Sequence, residues 1–177
     1  ADDQDALAHY AMGNALLVNG DYSDSIDAYD RAIEINPSFT AAHHEQANAF
    51  TLSGQHGSAI NSEMTAMRLS PNDPGRWAMM MIVGMTHFHA GNYEAAADWS
   101  RQSTQQPNAS ASPHIFLIGS LGQLGLADEA AAAIEKYRKS FPDHDVESNF
   151  SHSLFLRDKA VARSMREGLQ KAGLREG

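Results

Sequence analysis

The sequence contains no cysteine, so a disulfide framework, a thiolate metal site and a cysteine nucleophile are all excluded. That composition fits a reducing compartment, and a cytoplasmic location is expected. Long apolar runs are missing too. The most apolar stretch, residues 77–85, is about half the roughly 18 residues that a membrane-spanning helix requires, so no membrane partner is expected. Residues 1–5 are acidic and polar, the reverse of a secretory leader. Basic side chains are scarce, 13 against 22 acidic, for a formal charge of −9. Such a chain repels phosphate backbones. The Lys and Arg residues concentrated between Lys136 and Arg175 are interspersed with acids, so no nucleic-acid binding is expected of this segment. The chain opens at Ala1 without a methionine, and a fragment of a larger polypeptide is expected. No segment sustains period-two alternation, which argues against a sheet.

What is present is a repeat. Gly20, Gly54, Gly91 and Gly125 mark tight turns with spacings of 34, 37 and 34 residues. Gly13, Ala47, Gly84 and Ile118 lie seven residues upstream of each, and Ser25, Ala59, Ala96 and Ala130 five residues downstream, with the same spacings. Pro37, Pro71, Pro107 and Pro142 punctuate the ends. The three-residue excess falls around Pro74-Gly75-Arg76, so one linker is longer and the period survives. Small residues in two of the series let antiparallel helices approach closely. Glycine in the turn supplies the positive φ that stops a helix, and proline cannot continue the second helix. Between these markers apolar residues fall at helical spacing, as with Ile26, Tyr29 and Ile33.

The order Gly13, Gly20, Tyr22, Ser25, Tyr29, Ala32, Pro37 resembles the tetratricopeptide repeat (TPR) family. The resemblance implies an all-α fold, a right-handed α-α superhelix of about four helical hairpins. The units run about 6–39, 40–73, 77–110 and 111–144 within one domain spanning 1–177. A capping helix pair over about 145–174 is expected to close the array, since a solenoid must cover its last apolar face. Within it, residues 146–156 read as one short helix; Asp158 caps a second, with Val161, Met165 and Leu169 on one face and Gly173 as its stop. The second-helix aromatic of the family becomes Glu63 and Ser100 in the middle units, so looser packing is expected there, most of all in unit two.

The tail carries a finer resemblance. Phe155-Leu156-Arg157-Asp158, with Met165-Arg166-Glu167-Gly168-Leu169-Gln170-Lys171-Ala172-Gly173-Leu174, is similar to the C-terminus of bacterial signalling proteins in which TPR repeats follow a class III adenylate or guanylate cyclase domain. A related set carries a winged-helix DNA-binding domain instead. Ser70-Pro71-Asn72-Asp73-Pro74 and His87-Phe88-His89-Ala90-Gly91-Asn92-Tyr93 resemble the third unit of the same proteins. The resemblance implies a regulatory, non-enzymatic interaction module whose catalytic or DNA-binding part would lie outside this chain. A freestanding adaptor, for instance in envelope assembly, is the alternative.

Candidate chemistry is thin. Nine histidines invite a metal, but His43-His44 diverge by about 100° on a helix and no His-x-x-x-His pair exists, so no metal and no cofactor is expected. Gly119-Ser120-Leu121-Gly122-Gln123-Leu124-Gly125 is Gly-rich without the order of a phosphate loop, and reads as close helix packing and a turn. Asn108-Ala109-Ser110 and Asn149-Phe150-Ser151 match a glycosylation sequon, which means little without a secretory signal.

The useful surface is the groove. In the TPR family the first helix of each unit lines the concave face. Carried over by position, the resemblance places Leu7, Tyr10, Asn14, Leu17 and Val18 there from unit one, and Ala41, His44, Asn48, Thr51 and Leu52 from unit two. Unit three gives Ala78, Met81, Met85, Phe88 and His89, and unit four Ser112, Ile115, Gly119, Gly122 and Gln123. The carboxylate clamp of TPR co-chaperones is absent: its places hold Tyr10, Asn14, Glu45, Ala78 and Ile82, and Glu45 would repel such a ligand. The expected binding residues are Tyr10, Asn14, Leu17, His44, Asn48, Met81, Met85, Phe88 and Ile115. The apolar members of unit three, with Ile115, are expected either to be buried by neighbouring helices or to seat a protein partner. That partner would be a peptide, a helix, another domain of the same polypeptide or a second copy.

Overall fold

The structure is a computed structural model that describes residues 5–146, 150 and 153–174. Eight helices form four antiparallel hairpins: α1 (Ala6–Asn19) with α2 (Tyr22–Ile35), α3 (Thr40–Leu52) with α4 (His56–Leu69), α5 (Arg76–His89) with α6 (Tyr93–Ser103), and α7 (Ala111–Leu124) with α8 (Ala127–Ser140). A single 3-10 turn, Leu154–Leu156, leads into α9 (Lys159–Ala172). Among the described residues there is no strand. No helix there is long and apolar enough to cross a membrane. The short helix expected over residues 146–156 falls partly outside the described residues, and its last three residues form the 3-10 turn instead.

Local sequence explains where the helices begin and end. The Asp5 carboxylate accepts hydrogen bonds from the N–H groups of Leu7 (2.9 Å) and Ala8 (3.4 Å), capping α1. All four turn glycines adopt positive φ, between 72° and 95°, which a Cβ would strain. The longer linker is organised by Asp73, whose carboxylate accepts from the Gly75 N–H at 2.7 Å and the Ser70 hydroxyl at 3.0 Å. That turn resets the chain before α5.

Within each hairpin the same pair of facing positions carries different chemistry. In unit one Gly13 leaves room for the Tyr29 ring; a Cβ there would overlap it. The Tyr29 hydroxyl donates to Asn14 Oδ1 at 2.7 Å, and Ser25 donates to the Gly13 carbonyl at 2.9 Å. In unit two the facing residues are Ala47 and Glu63, and the buried Glu63 carboxylate is met by His44 Nδ1 at 2.9 Å. In unit three Gly84 lies directly against Ser100. In unit four Ile118 and Ile134 belong to one apolar cluster. The middle units, which lack the aromatic, thus fill its place in two ways: an ion pair in one and a backbone approach in the other.

The hairpins stack in sequence order, each second helix packing on the next first helix. First helices also touch one another, α1 on α3, α3 on α5 and α5 on α7, whereas no comparable packing joins the second helices. The first helices therefore form the inner wall of the curve and the second helices the outer one. Polar ties cross the stack. Gln46 donates to Asp30 (2.6 Å) and accepts from Ser62 (2.7 Å), and the hydroxyls of Thr51 and Thr86 share a buried hydrogen bond of 2.6 Å.

α9 packs chiefly on α7 and only lightly on α8, so it lies on the inner wall rather than over the last hairpin. Glycine makes this possible. A Cβ at Gly122 would run into the backbone of Gly168, and a Cβ at Gly168 into the backbone of Gly119. The two helices cross with main chain against main chain.

Candidate functional site

The inner wall divides into an open half and a filled half. In the open half, units one and two, Tyr10, Asn14 and His44 are half-buried and reach the groove. Leu17 and Asn48 are buried, so they shape the wall more than they face a ligand. Leu7 and Val18, also on this face, are 62% and 58% exposed. Most polar groups here answer one another, although the buried Asn48 Oδ1 meets no donor among the described residues. Asn14 accepts from Tyr29, and Asn48 donates to Glu45 at 3.0 Å. The Tyr10 ring packs on Tyr29 and Phe39, with centroids at 6.1 and 5.0 Å.

His44 and Glu63 form the one strongly perturbed pair of this half. Burial pushes the Glu63 carboxyl up to about 6, against the stabilising hydrogen bond and charge of His44. Desolvation works against a charged His44 imidazole, but the Glu63 hydrogen bond and the charges of Glu63, Glu45 and Asp73 outweigh it and raise its pKa. Both members therefore keep a proton to higher pH than the same groups would in water.

In the filled half, Met81, Met85, Phe88 and Ile115 share one buried cluster with Met165 and Leu169 of α9. Met85 is 0% exposed, and Phe88 and Ile115 are 2% exposed. Of the two roles expected for these residues, burial is the one found, and part of the cover is the chain's own C-terminal helix. They offer no open apolar seat, and an Asp at 85 or 88 would place a charge in the core rather than on a binding surface. The Met165 sulfur lies against Gly119 beside the Phe88 ring. Polar anchors hold the edges: Gln123 Nε2 donates to the Ser164 carbonyl at 2.5 Å, and Lys171 Nζ to Gln123 Oε1 at 2.9 Å. The groove positions Gly119, Gly122 and Gln123 of α7 thus all meet α9.

A latch spans the two halves. Arg157 Nη1 donates to the Val18 carbonyl at the end of α1, 2.9 Å away and 139 residues distant in sequence. Beneath it lies a cavity of about 480 Å³, bounded on one side by Leu52, Gly54 and His56 and on the other by Arg157, Asp158 and Val161.

Other candidates resolve into packing. His114 is buried against the rings of Tyr137 and Phe141, with centroids at 6.2 and 5.4 Å. Burial, helped by the Lys136 charge, lowers its pKa to about 4. His9 and His43, at the same repeat position, are only half-buried. Among the described residues no group of three or more His, Asp or Glu is placed to hold a metal ion. The sequon at Asn149 lies outside the described residues.

Sequence reasoning missed two features. One is the His44–Glu63 pair. Its signal was present, because His44 and Glu63 occupy the repeat positions of the packed rings Tyr10 and Tyr29. The other is the placement of α9 in the groove, for which Gly119, Gly122 and Gly168 were the available signs.

Four helical hairpins with an inner wall of first helices and glycine-stopped turns define a tetratricopeptide-type solenoid. The tetratricopeptide repeat family model matches residues 6–39, the first hairpin. Solved structures of similar fold extend the likeness over the chain. YrrB, described as a TPR protein with an unusual peptide-binding site, aligns with a TM-score of 0.64 and 16% identity over 97% of this chain and 86% of its own. MamA aligns in two structures: one at TM-score 0.66 and 20% identity over 95% of this chain and 92% of its own, the other at 0.64 and 21% over 90% and 91%. At such identities the likeness is one of fold. No curated protein sequence matches the chain.

Proposed function

We propose that this chain is a non-catalytic protein-binding module that holds a peptide or protein segment in its concave groove. The observation that carries this reading is that the groove already holds a polypeptide: α9 lies along the inner positions of unit four and shares a core with those of unit three. Side by side with it, units one and two leave Tyr10, Asn14 and His44 accessible, flanked by the exposed Leu7 and Val18. That half suits a segment combining apolar side chains with hydrogen-bond donors or positive charge, given Glu45 at its centre and the overall charge of −9. The peptide-binding site ascribed to YrrB, a protein of similar fold, supports a peptide as the class of partner.

The test is a selection of displayed random peptides on the intact chain, followed by substitution. Tyr10→Ala, Asn14→Ala and His44→Ala should each weaken the selected peptides at least about tenfold, while Met64→Ala, on α4 of the outer wall, should not. Peptides insensitive to all three inner substitutions would refute binding through this groove.

For the host protein, we propose a larger bacterial signalling polypeptide in the cytoplasm, with a class III cyclase domain or a winged-helix domain upstream. Its support is the resemblance carried by residues 155–158 and 165–174. The coding sequence before Ala1 tests it, and a lipoprotein signal there would select the envelope adaptor instead.

A further inference from the structure

We propose that the seat on α7 is a docking site for a basic amphipathic helix with glycine at its crossing point, that α9 is its resident occupant, and that a partner helix of the same chemistry exchanges with it. The inference rests on the groove reading above and names the partner class for its filled half.

Three observations carry it. First, α9 is built as an independent helix. Asp158 accepts from the N–H groups of Ala160 (2.7 Å) and Val161 (3.1 Å) at one end. At the other, Gly173 at φ 86° ends the helix, with the Gly173 and Leu174 N–H groups returning to Gln170 and Leu169. Both ends are satisfied within the segment, so the helix does not need the solenoid to complete its own hydrogen bonds.

Second, the charge is complementary. α9 carries four basic side chains, Lys159, Arg163, Arg166 and Lys171, against one acidic, Glu167. The remainder of the chain then holds 9 basic and 21 acidic residues, from totals of 13 and 22. A helix of net charge +3 thus lies on a body of −12, which favours association of basic helices in general.

Third, the seat is specific in shape. Gly122 and Gly119 meet Gly168 at main-chain distance, Met165 fills the space beside Gly119, and Leu169 completes the cluster with Phe88 and Ile115. Without a helix there, these apolar groups would face water, so α9 can leave only if something of like shape replaces it. The partner must therefore present a small residue at the crossing, an apolar side chain three residues before it and another just after it.

The probe is a labelled synthetic peptide of residues 158–174, titrated into the intact chain. The wild-type chain should bind it weakly, because its own helix competes at high effective concentration. Gly168→Leu in the chain keeps α9 from seating and should tighten peptide binding at least about tenfold, and added salt should weaken it. A peptide carrying Gly168→Leu should bind neither chain. Should Gly168→Leu disturb the fold by circular dichroism, the double variant Met165→Ala and Leu169→Ala, which loosens α9 without a clash, decides instead and should show the same gain. Variants that remain helical yet bind the peptide no better than wild type overturn the proposal. So does a concentration-dependent dimer of the wild-type chain in place of exchange, which would make a second copy's α9 the occupant. Failure here with retained sensitivity at Tyr10, Asn14 and His44 would leave the groove reading standing.

Discussion

Position by position, the first helices of units one and two differ from those of units three and four in what they bring to the inner wall. At the ninth position the chain places Asn14, Asn48, Met85 and Gly119; at the fifth, Tyr10, His44, Met81 and Ile115. The backbone scaffold is common to all four. In the first pair Asn14, the Asn48 amide N–H and His44 are answered locally, by Tyr29, Glu45 and Glu63, so the wall can stay wet. In the second pair the wall is apolar and cannot be left bare. It draws in α9, and glycine at the crossing sets how closely that helix can lie. Repeat architecture thus fixes where a groove runs, while two side-chain positions per unit decide whether the groove is kept open or filled.

Exchanging residues between the halves should break the comparison most sharply. Met85→Asn gives unit three what units one and two carry, but at a site that is 0% exposed. It removes a buried apolar side chain and leaves an amide among Phe88, Ile115 and Met165, for an expected loss of about 4 kcal/mol in urea unfolding. The reverse exchange, Asn14→Met, should cost only about 1 kcal/mol, chiefly the hydrogen bond from Tyr29. Equal costs in the two directions would mean that the halves are not distinct environments.

The buried acid of the open half comes next. His44→Ala leaves the fully buried Glu63 without its partner and should cost about 3 kcal/mol at about pH 8. The cost should shrink at about pH 5.5, where Glu63, already pushed up to about 6, takes a proton instead. In the wild type both members of the pair have raised pKa values when folded. Their contribution is therefore fully present at low pH and lost as pH rises through the folded values.

His114, in the filled half, has the opposite sign. Its folded pKa is lowered from 6.5 to about 4. The stability it protects is present above 6.5 and is lost as pH falls toward 4. His114→Phe keeps a ring against Tyr137 and Phe141 and removes the titration. The stability difference between about pH 7 and about pH 4.5 should shrink by about 2 kcal/mol in that variant. Acid should thus favour the open half and undermine the filled one, and unfolding followed at the two pH values separates them.

These contrasts show what could be read from residues alone. The hairpins were legible because each turn needs a positive φ and each helix interface a small residue. Gly20, Gly54, Gly91 and Gly125 therefore had to recur in register with Gly13, Ala47 and Gly84. The groove positions were legible only as a list inherited from the repeat. Which of them face a ligand depends on what lies across the groove, and α9 reaches α7 from more than forty residues away. Gly168 alone does not name its partner: a glycine between Met165 and Leu169 becomes a sign of a close crossing only when Gly119 and Gly122 are set against it. The His44–Glu63 pair was closer to the surface of the sequence, since both members of the Tyr10–Tyr29 contact of unit one change together in unit two.

The smallest expected effect concerns how firmly the filled half stays filled. Backbone N–H groups of Val161 and Ala160 hold the Asp158 carboxyl below its ordinary pKa, even though the residue is exposed. Asp158→Ala removes that cap and should cost about 1 kcal/mol. The loss should appear locally, because the carboxylate's hydrogen bonds lie within α9 and only the charge of His89 on α5 reaches it from the hairpins. Hydrogen exchange should quicken in the first turn of α9 and at the amides of α7 that it shelters, with α1 to α4 unchanged. The wild-type protection should also fade as pH falls through the depressed Asp158 value, since the cap acts only when ionised. Faster exchange in units one and two as well would show that α9 braces the whole array, through Arg157 and the Val18 carbonyl, rather than covering one half of it.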